Sequence, residues 1–125
     1  MKKLFLYTAI LFIVACSKQT TSKPEPIIVI NTPSENQHFV NGDTIHIKGN
    51  VSHTIELTEV AVHMTDVTSK NEFFHNHFLA ANKTHFEFDS KYPVAENNKT
   101  SFKVEVEATD KNGTVVTKEM TITIN

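Results

Sequence analysis

The stretch "TSFKVEVEATD", residues 100–110, sets Phe102, Val104, Val106 and Ala108 on one side of an extended chain and Lys103, Glu105 and Glu107 on the other. A period of two is the pattern of a strand with one face in a core, because successive side chains of a strand point to opposite faces; a helix would scatter the same residues around its girth. The segment that follows, "TVVTKEMTITIN" (114–125), repeats the pattern, with Met120, Ile122 and Ile124 set against threonines. Parity decides how the two strands join. Opposed residues of an antiparallel pair share a face, so a two-residue Asn112-Gly113 loop would set Val106 against Glu119 and mix the faces. A three-residue loop, Lys111-Asn112-Gly113 with glycine supplying the positive φ, sets Val104 against Met120 and Phe102 against Ile122. That register brings Lys118 to the inward side, which calls for a β-bulge nearby or a rim position with the ammonium reaching water.

Upstream, the period of two recurs between turn residues. "PIIVIN" (26–31) is a short apolar strand flanked by Pro26 and Pro33, which points to an edge. "DTIHIKGNVS" (43–52) gathers Ile45, Ile47, Gly49 and Val51 on one face, and "LTEVAVHMTD" (57–66) gathers Val60, Val62 and Met64. "NEFFHNHFLA" (71–80) and "THFEFDS" (84–90) follow, the second with Phe86 and Phe88 inward. Seven short strands, each with one apolar face, predict an all-β protein: an Ig-like antiparallel β-sandwich of about seven strands over residues 27–125, a single domain of about 100 residues.

The chain opens with "MKKLFLYTAILFIVAC" (1–16): two lysines, then a run of a dozen residues broken only by Thr8. This is the layout of a secretory signal, and it is shorter than the ~20 apolar residues that a membrane span needs. Ile13-Val14-Ala15-Cys16 resembles the lipobox of bacterial lipoproteins, in which the cysteine is acylated and the leader removed before it. The resemblance implies a signal peptide over 1–15 and a lipid attached at Cys16. Several acyl chains, at ~0.8 kcal/mol per buried methylene, make a stable membrane anchor. Residues 16–26, "CSKQTTSKPEP", then read as the lipidated cysteine and a flexible stalk. Ser17 permits outer-membrane sorting and no acidic surface-export signal follows, so an outer-membrane lipoprotein facing the periplasm is expected. Cys16 is the sole cysteine, and no disulfide can form within the chain.

The sequence from 32 to 66, "TPSENQHFVNGDTIHIKGNVSHTIELTEVAVHMTD", and "VEATDKNGTVVTKEMTITI" (106–124) resemble the bacterial immunoglobulin-like domains: a proline-led turn, Gly-Asp before the second strand, a V-x-V-x third strand, and A-x-D-x-x-G ahead of the last. The resemblance spans Ile27 to Asn125 and implies a fold and no ligand. With the lipobox, the chain resembles small single-domain Bacteroidota lipoproteins. Tryptophan is absent and there is no cysteine pair, so antibody-type domains are not implied.

All twelve basic residues are lysine, and the formal charge is −2. With no arginine fork and no basic run, nucleic acid is not an expected partner. Three glycines provide no phosphate loop, no Gly-x-Ser-x-Gly elbow occurs, and Glu105 and Glu107 lie on a solvent face, so no enzyme activity is expected. Asp110 and Asn112 are oxygen donors of the kind that bind calcium, but turn chemistry accounts for them.

Histidine is the enriched functional residue, at 38, 46, 53, 63, 75, 77 and 85. The spacing in "FFHNHF" puts His75 and His77 on one face, and a loop centred near 68–71 brings His63 opposite them. Three imidazoles on a rigid sheet suit zinc or copper, the one cofactor the residues leave open. The same strand is apolar on both sides. A surface of Phe73, Phe74, His75, His77 and Phe78 is therefore a second candidate, for an envelope protein or a glycan stacked on a ring. The expectation is a monomeric, membrane-tethered binding or structural module, with metal binding as the alternative.

Overall fold

The computed structural model describes residues 21–95 and 100–125. The leader and Cys16 lie outside them. Among the described residues there is no helix, and none long and apolar enough to cross a membrane. Six strands form: β1 (Ile27–Thr32), β2 (His38–Phe39), β3 (Thr44–Asp66), β4 (Glu72–Pro93), β5 (Thr100–Asp110) and β6 (Val115–Ile124). They make one sheet in the order β1-β3-β5-β6-β2, with β4 along the remaining side of β3. Every pairing is antiparallel except the short parallel β2–β6 contact, which nothing in the alternation of "HF" announces.

The protein is an all-β, Ig-like β-sandwich made from that single sheet curling over on itself. Four of the seven expected strands merge in pairs: 43–52 with 57–66 in β3, and 71–80 with 84–90 in β4. The first half of β3, to Ser52, pairs with β1 and with β4 from His85 onward; the second half, from Leu57, pairs with the start of β4 and with β5. Between the halves the register breaks, at Ser52/Leu57 and again at Leu57/Glu59. Opposite the break, Ala81 (φ 52) and Asn82 (φ 59) both occupy the left-handed region. For an alanine that conformation is disfavoured by ~1–2 kcal/mol, so the surrounding contacts hold it there.

Contacts between residues that are not ladder partners trace the fold-over. Asn76 donates to the Ser90 hydroxyl at 3.0 Å, and the rings of Phe78 and Phe86 sit 5.9 Å apart on the two arms of β4. Between the halves lies one core that includes Ile45, Ile47, Val51, Val60, Val62, Met64, Val104, Val106, Ile122 and Ile124, all without exposed surface. Each such side chain contributes roughly 1.5–3 kcal/mol by leaving water.

The last hairpin has the three-residue loop: Val104 opposes Met120, Phe102 opposes Ile122, and Gly113 has φ 78. Lys118 opposes Val106 with no bulge in that ladder, and it takes the rim position, its Nζ donating to the Ile28 carbonyl of β1 at 3.3 Å. That bond occupies a carbonyl of an edge strand, which protects the edge from pairing with another chain. β1 pairs only with β3, the edge place that its flanking prolines suggested.

The hairpin tip is fastened to the corner of β3. Asp110 Oδ1 accepts the backbone N–H of Asn112 and of Thr114, each at 2.8 Å, and its Oδ2 lies 3.2 Å from His53 Nε2. Lys111 adds a backbone bond to Glu56 at 2.9 Å and an ion pair to its carboxylate at 2.8 Å. Burial would raise the Asp110 pKa, but the N–H groups of Thr114 and Asn112 and the His53 imidazole outweigh it and hold the carboxyl below its usual range. The side chains of His53 and Asp110 are 1% and 0% exposed, so this histidine serves the fold.

Gly49 lies on the inward face opposite Phe88, whose ring covers it. A Cβ there would collide with the Val29 carbonyl oxygen and stand 2.6 Å from the Phe88 ring carbon Cζ. Gly49→Ala should therefore lower the unfolding free energy by about 1–3 kcal/mol in urea denaturation. A depressed carboxyl pKa contributes stability above its unfolded value, about 3.9 for aspartate, and loses it as pH falls through the folded value. Asp110→Asn should accordingly be less stable than the parent at neutral pH, with the difference shrinking as pH drops below that range.

Candidate metal centre

Alternation along β3 that points Val60, Val62 and Met64 into the core puts Ala61, His63 and Thr65 on the opposite face, where His63 and Thr65 are partly exposed and Ala61 is buried. On β4 the same rule sends Phe74, Asn76, Phe78 and Ala80 inward and His75, His77 and Leu79 outward. His63 and His75 are direct cross-strand partners, their rings 4.3 Å apart and nearly perpendicular.

A register shift then places a carboxylate beside them. Met64 pairs with Phe74 but Thr65 pairs with Glu72, so Phe73 is an extra residue in β4, a β-bulge. Strict alternation would put Glu72 on the face opposite His75; the bulge returns it to the histidine face. Its Oε2 lies 2.8 Å from His63 Nδ1 and its Oε1 3.4 Å from His75 Nδ1. One donor atom from each of the three residues lies within 4.8 Å of the others. The turn before it is firm: Asp66 Oδ1 accepts the N–H groups of Thr68 and Ser69 at 2.8 and 2.7 Å, and its Oδ2 accepts the Thr100 hydroxyl at 3.0 Å.

The cluster differs from the three-imidazole site expected from spacing. His63 and His75 meet, but the third donor is Glu72, and His77 instead places its Nε2 2.7 Å from Glu59 Oε2, with its ring 6.5 Å from that of His75. Glu72 was legible only as the E-x-x-H of "EFFH", a spacing that shares a strand face only across a bulge. Bonding to His63, with a smaller part from His75, lowers the Glu72 pKa against the opposing effect of desolvation, so its carboxylate stays charged. Glu105, across from His63 on β5, is engaged elsewhere: Lys103 Nζ bonds Glu105 at 2.8 Å and Glu119 at 2.9 Å, which raises the lysine pKa to about 12.

The aromatic surface expected alongside the histidines does not form as one face. Phe74 and Phe78 pack against the core on the inward side. Phe73, displaced by the bulge, lays its ring 4.5 Å from Phe102 and 5.3 Å from Tyr92. The large apolar residue that stands outward beside His75 and His77 is Leu79, 75% exposed. His38 and His53 bond elsewhere, His46 and His85 lie 4.0 Å from Asp89 and 3.9 Å from Glu87, and none of the four joins the cluster.

Fold and cluster together describe an Ig-like sandwich presenting two imidazoles and a carboxylate on the open side of an edge ladder. Among solved structures the chain is similar to CopC from Methylosinus trichosporium OB3b, at 12% identity over 81% of this chain and 94% of that one, with a TM-score of 0.50. It is also similar to a Niemann-Pick type C2 protein from the Japanese carpenter ant, at 12% identity over 81% and 89% of the two chains, TM-score 0.48. No protein-family model and no curated protein matches it. At 12% identity the likeness to CopC is one of fold.

The split of β4 into two faces has a direct check. Phe78→Ala should lower the unfolding free energy by roughly 2–4 kcal/mol, whereas Leu79→Ser should stay within about 0.5 kcal/mol of the parent by the same measurement.

Proposed function

We propose that this protein is an exported, lipid-anchored envelope protein whose sandwich binds a divalent transition metal at His63, Glu72 and His75. The observation that carries the metal reading is the convergence of three donor atoms within 4.8 Å of one another on the outward face. Imidazole nitrogen and carboxylate oxygen suit copper(II) and zinc, and the absence of any thiol from the folded domain's sequence favours these over copper(I). Three protein donors leave a coordination position open on the solvent side, an arrangement for holding and passing on an ion. The role is binding and not catalysis. Recognition of a glycan or partner by an aromatic platform fits less well, since the rings of Phe73, Phe74 and Phe78 are engaged with the core and its aromatic rim.

The lipobox at 13–16 supports the tether, and the polar stalk after it would hold the domain off the outer membrane on its periplasmic side. Net negative charge on the mature chain favours cations near its surface.

Tag-free protein titrated calorimetrically should bind copper(II) or zinc at this site. His63→Ala, His75→Ala and Glu72→Gln should each weaken the binding by at least the 10–100-fold that removal of a ligand's supporting partner produces. Affinity should fall with falling pH, because protons compete for the imidazole nitrogens. Unchanged affinity in all three variants would remove the assignment. For the tether, intact mass of membrane-extracted protein should show a chain beginning at acylated Cys16; a free thiol there would remove that part of the reading.

A further inference from the structure

The pair left beside the cluster has the same donor chemistry. His77 Nε2 and Glu59 Oε2 are 2.7 Å apart, both side chains a little under half exposed, on the same outward face as His63 and His75. They meet diagonally across the ladder, since His77 pairs with Ala61 and Glu59 pairs with Leu79. Ala61, between Glu59 and His63 on that face, is buried, at 7% exposed. His75 stands between the two groups, its ring 4.3 Å from that of His63 and 6.5 Å from that of His77.

Resting on the metal reading above, we propose that His77 and Glu59 form a second, weaker copper(II) station adjoining the first. The two side chains are each a little under half exposed, and a contact of that kind adds little to stability, so packing does not explain their alignment. One nitrogen and one oxygen are too few donors to retain most divalent ions, but copper(II) stands at the top of the affinity order for such ligands. Zinc, below it, occupies the three-donor cluster alone. The two stations lie side by side on one rigid ladder, the His75 and His77 rings 6.5 Å apart, so an ion leaving the cluster meets its next donors on the same face.

The test is titration of the mature chain with copper(II) alone, followed by calorimetry and by electron paramagnetic resonance. The parent should take up one ion tightly and a second about tenfold or more weaker, with dipolar broadening of the copper signal as the second ion enters. His77→Ala and Glu59→Gln, both at exposed positions that leave the core intact, should lose the second phase and the broadening and keep the first phase. His63→Ala should lose the first. A parent that binds a single ion, with His77→Ala unchanged, overturns the second station and leaves the cluster standing. Weakening of the first phase by His77→Ala also overturns it, by making His77 a ligand of the cluster. Absence of any copper uptake removes the metal reading itself, and the second station with it.

Discussion

The structure depends on the turning of one long ladder. β3 and β4 run side by side for more than twenty residues each, and no flat pair of that length can bury its apolar face. The left-handed residues Ala81 and Asn82, opposite the broken register between Ser52 and Leu57, fold the ladder over so that its two halves cover each other. The inside is then a single core, and the outside is fixed by the same parity. Val60, Val62 and Met64 cannot point in without Ala61 and His63 pointing out. The candidate metal centre is in this sense the reverse side of the core, placed as rigidly as the core is packed.

Magnitudes separate the two kinds of histidine in this chain. His53 is buried against Asp110, where removing either partner leaves a desolvated polar group, a loss of about 1–3 kcal/mol or more. It ties the hairpin tip to the corner of β3 and belongs to the fold. His75 and His77 are close to half exposed, and their contacts with Glu72 and Glu59 are of the surface kind that stabilises by at most ~1 kcal/mol. A sheet gains little from a row of imidazoles and carboxylates in that position, and metal coordination is the chemistry such a row performs well. Lys103, clamped between Glu105 and Glu119, shows the contrasting case in which one ammonium bridges two outward carboxylates.

Much of the fold was legible because alternation is a local property. The faces of 43–52, 57–66 and 100–110, the three-residue hairpin loop and the pairing of Lys118 with Val106 all follow from parity, which left a bulge or a rim position open for the lysine. The merging of strands was not legible: no glycine or proline marks the corner, and only Asn82, a residue that tolerates the left-handed region, hints at it. The parallel pairing of His38–Phe39 with β6 is a long-range contact with no local signature. At the site, the meeting of His63 with His75 followed from the loop between them, but the place of Glu72 did not, because one extra residue at Phe73 reverses every assignment before it. The same bulge explains why "FFHNHF" reads as apolar on both sides: Phe73 is out of step with the strand that follows it.

Crystals of the protein grown with copper(II), with data collected across the copper absorption edge, address the central claim directly. The account predicts an anomalous peak on the outward face of β3 and β4, bonded to His63, Glu72 and His75 at about 2.0–2.2 Å. A well-ordered sheet of this topology with no peak at those three residues would contradict it.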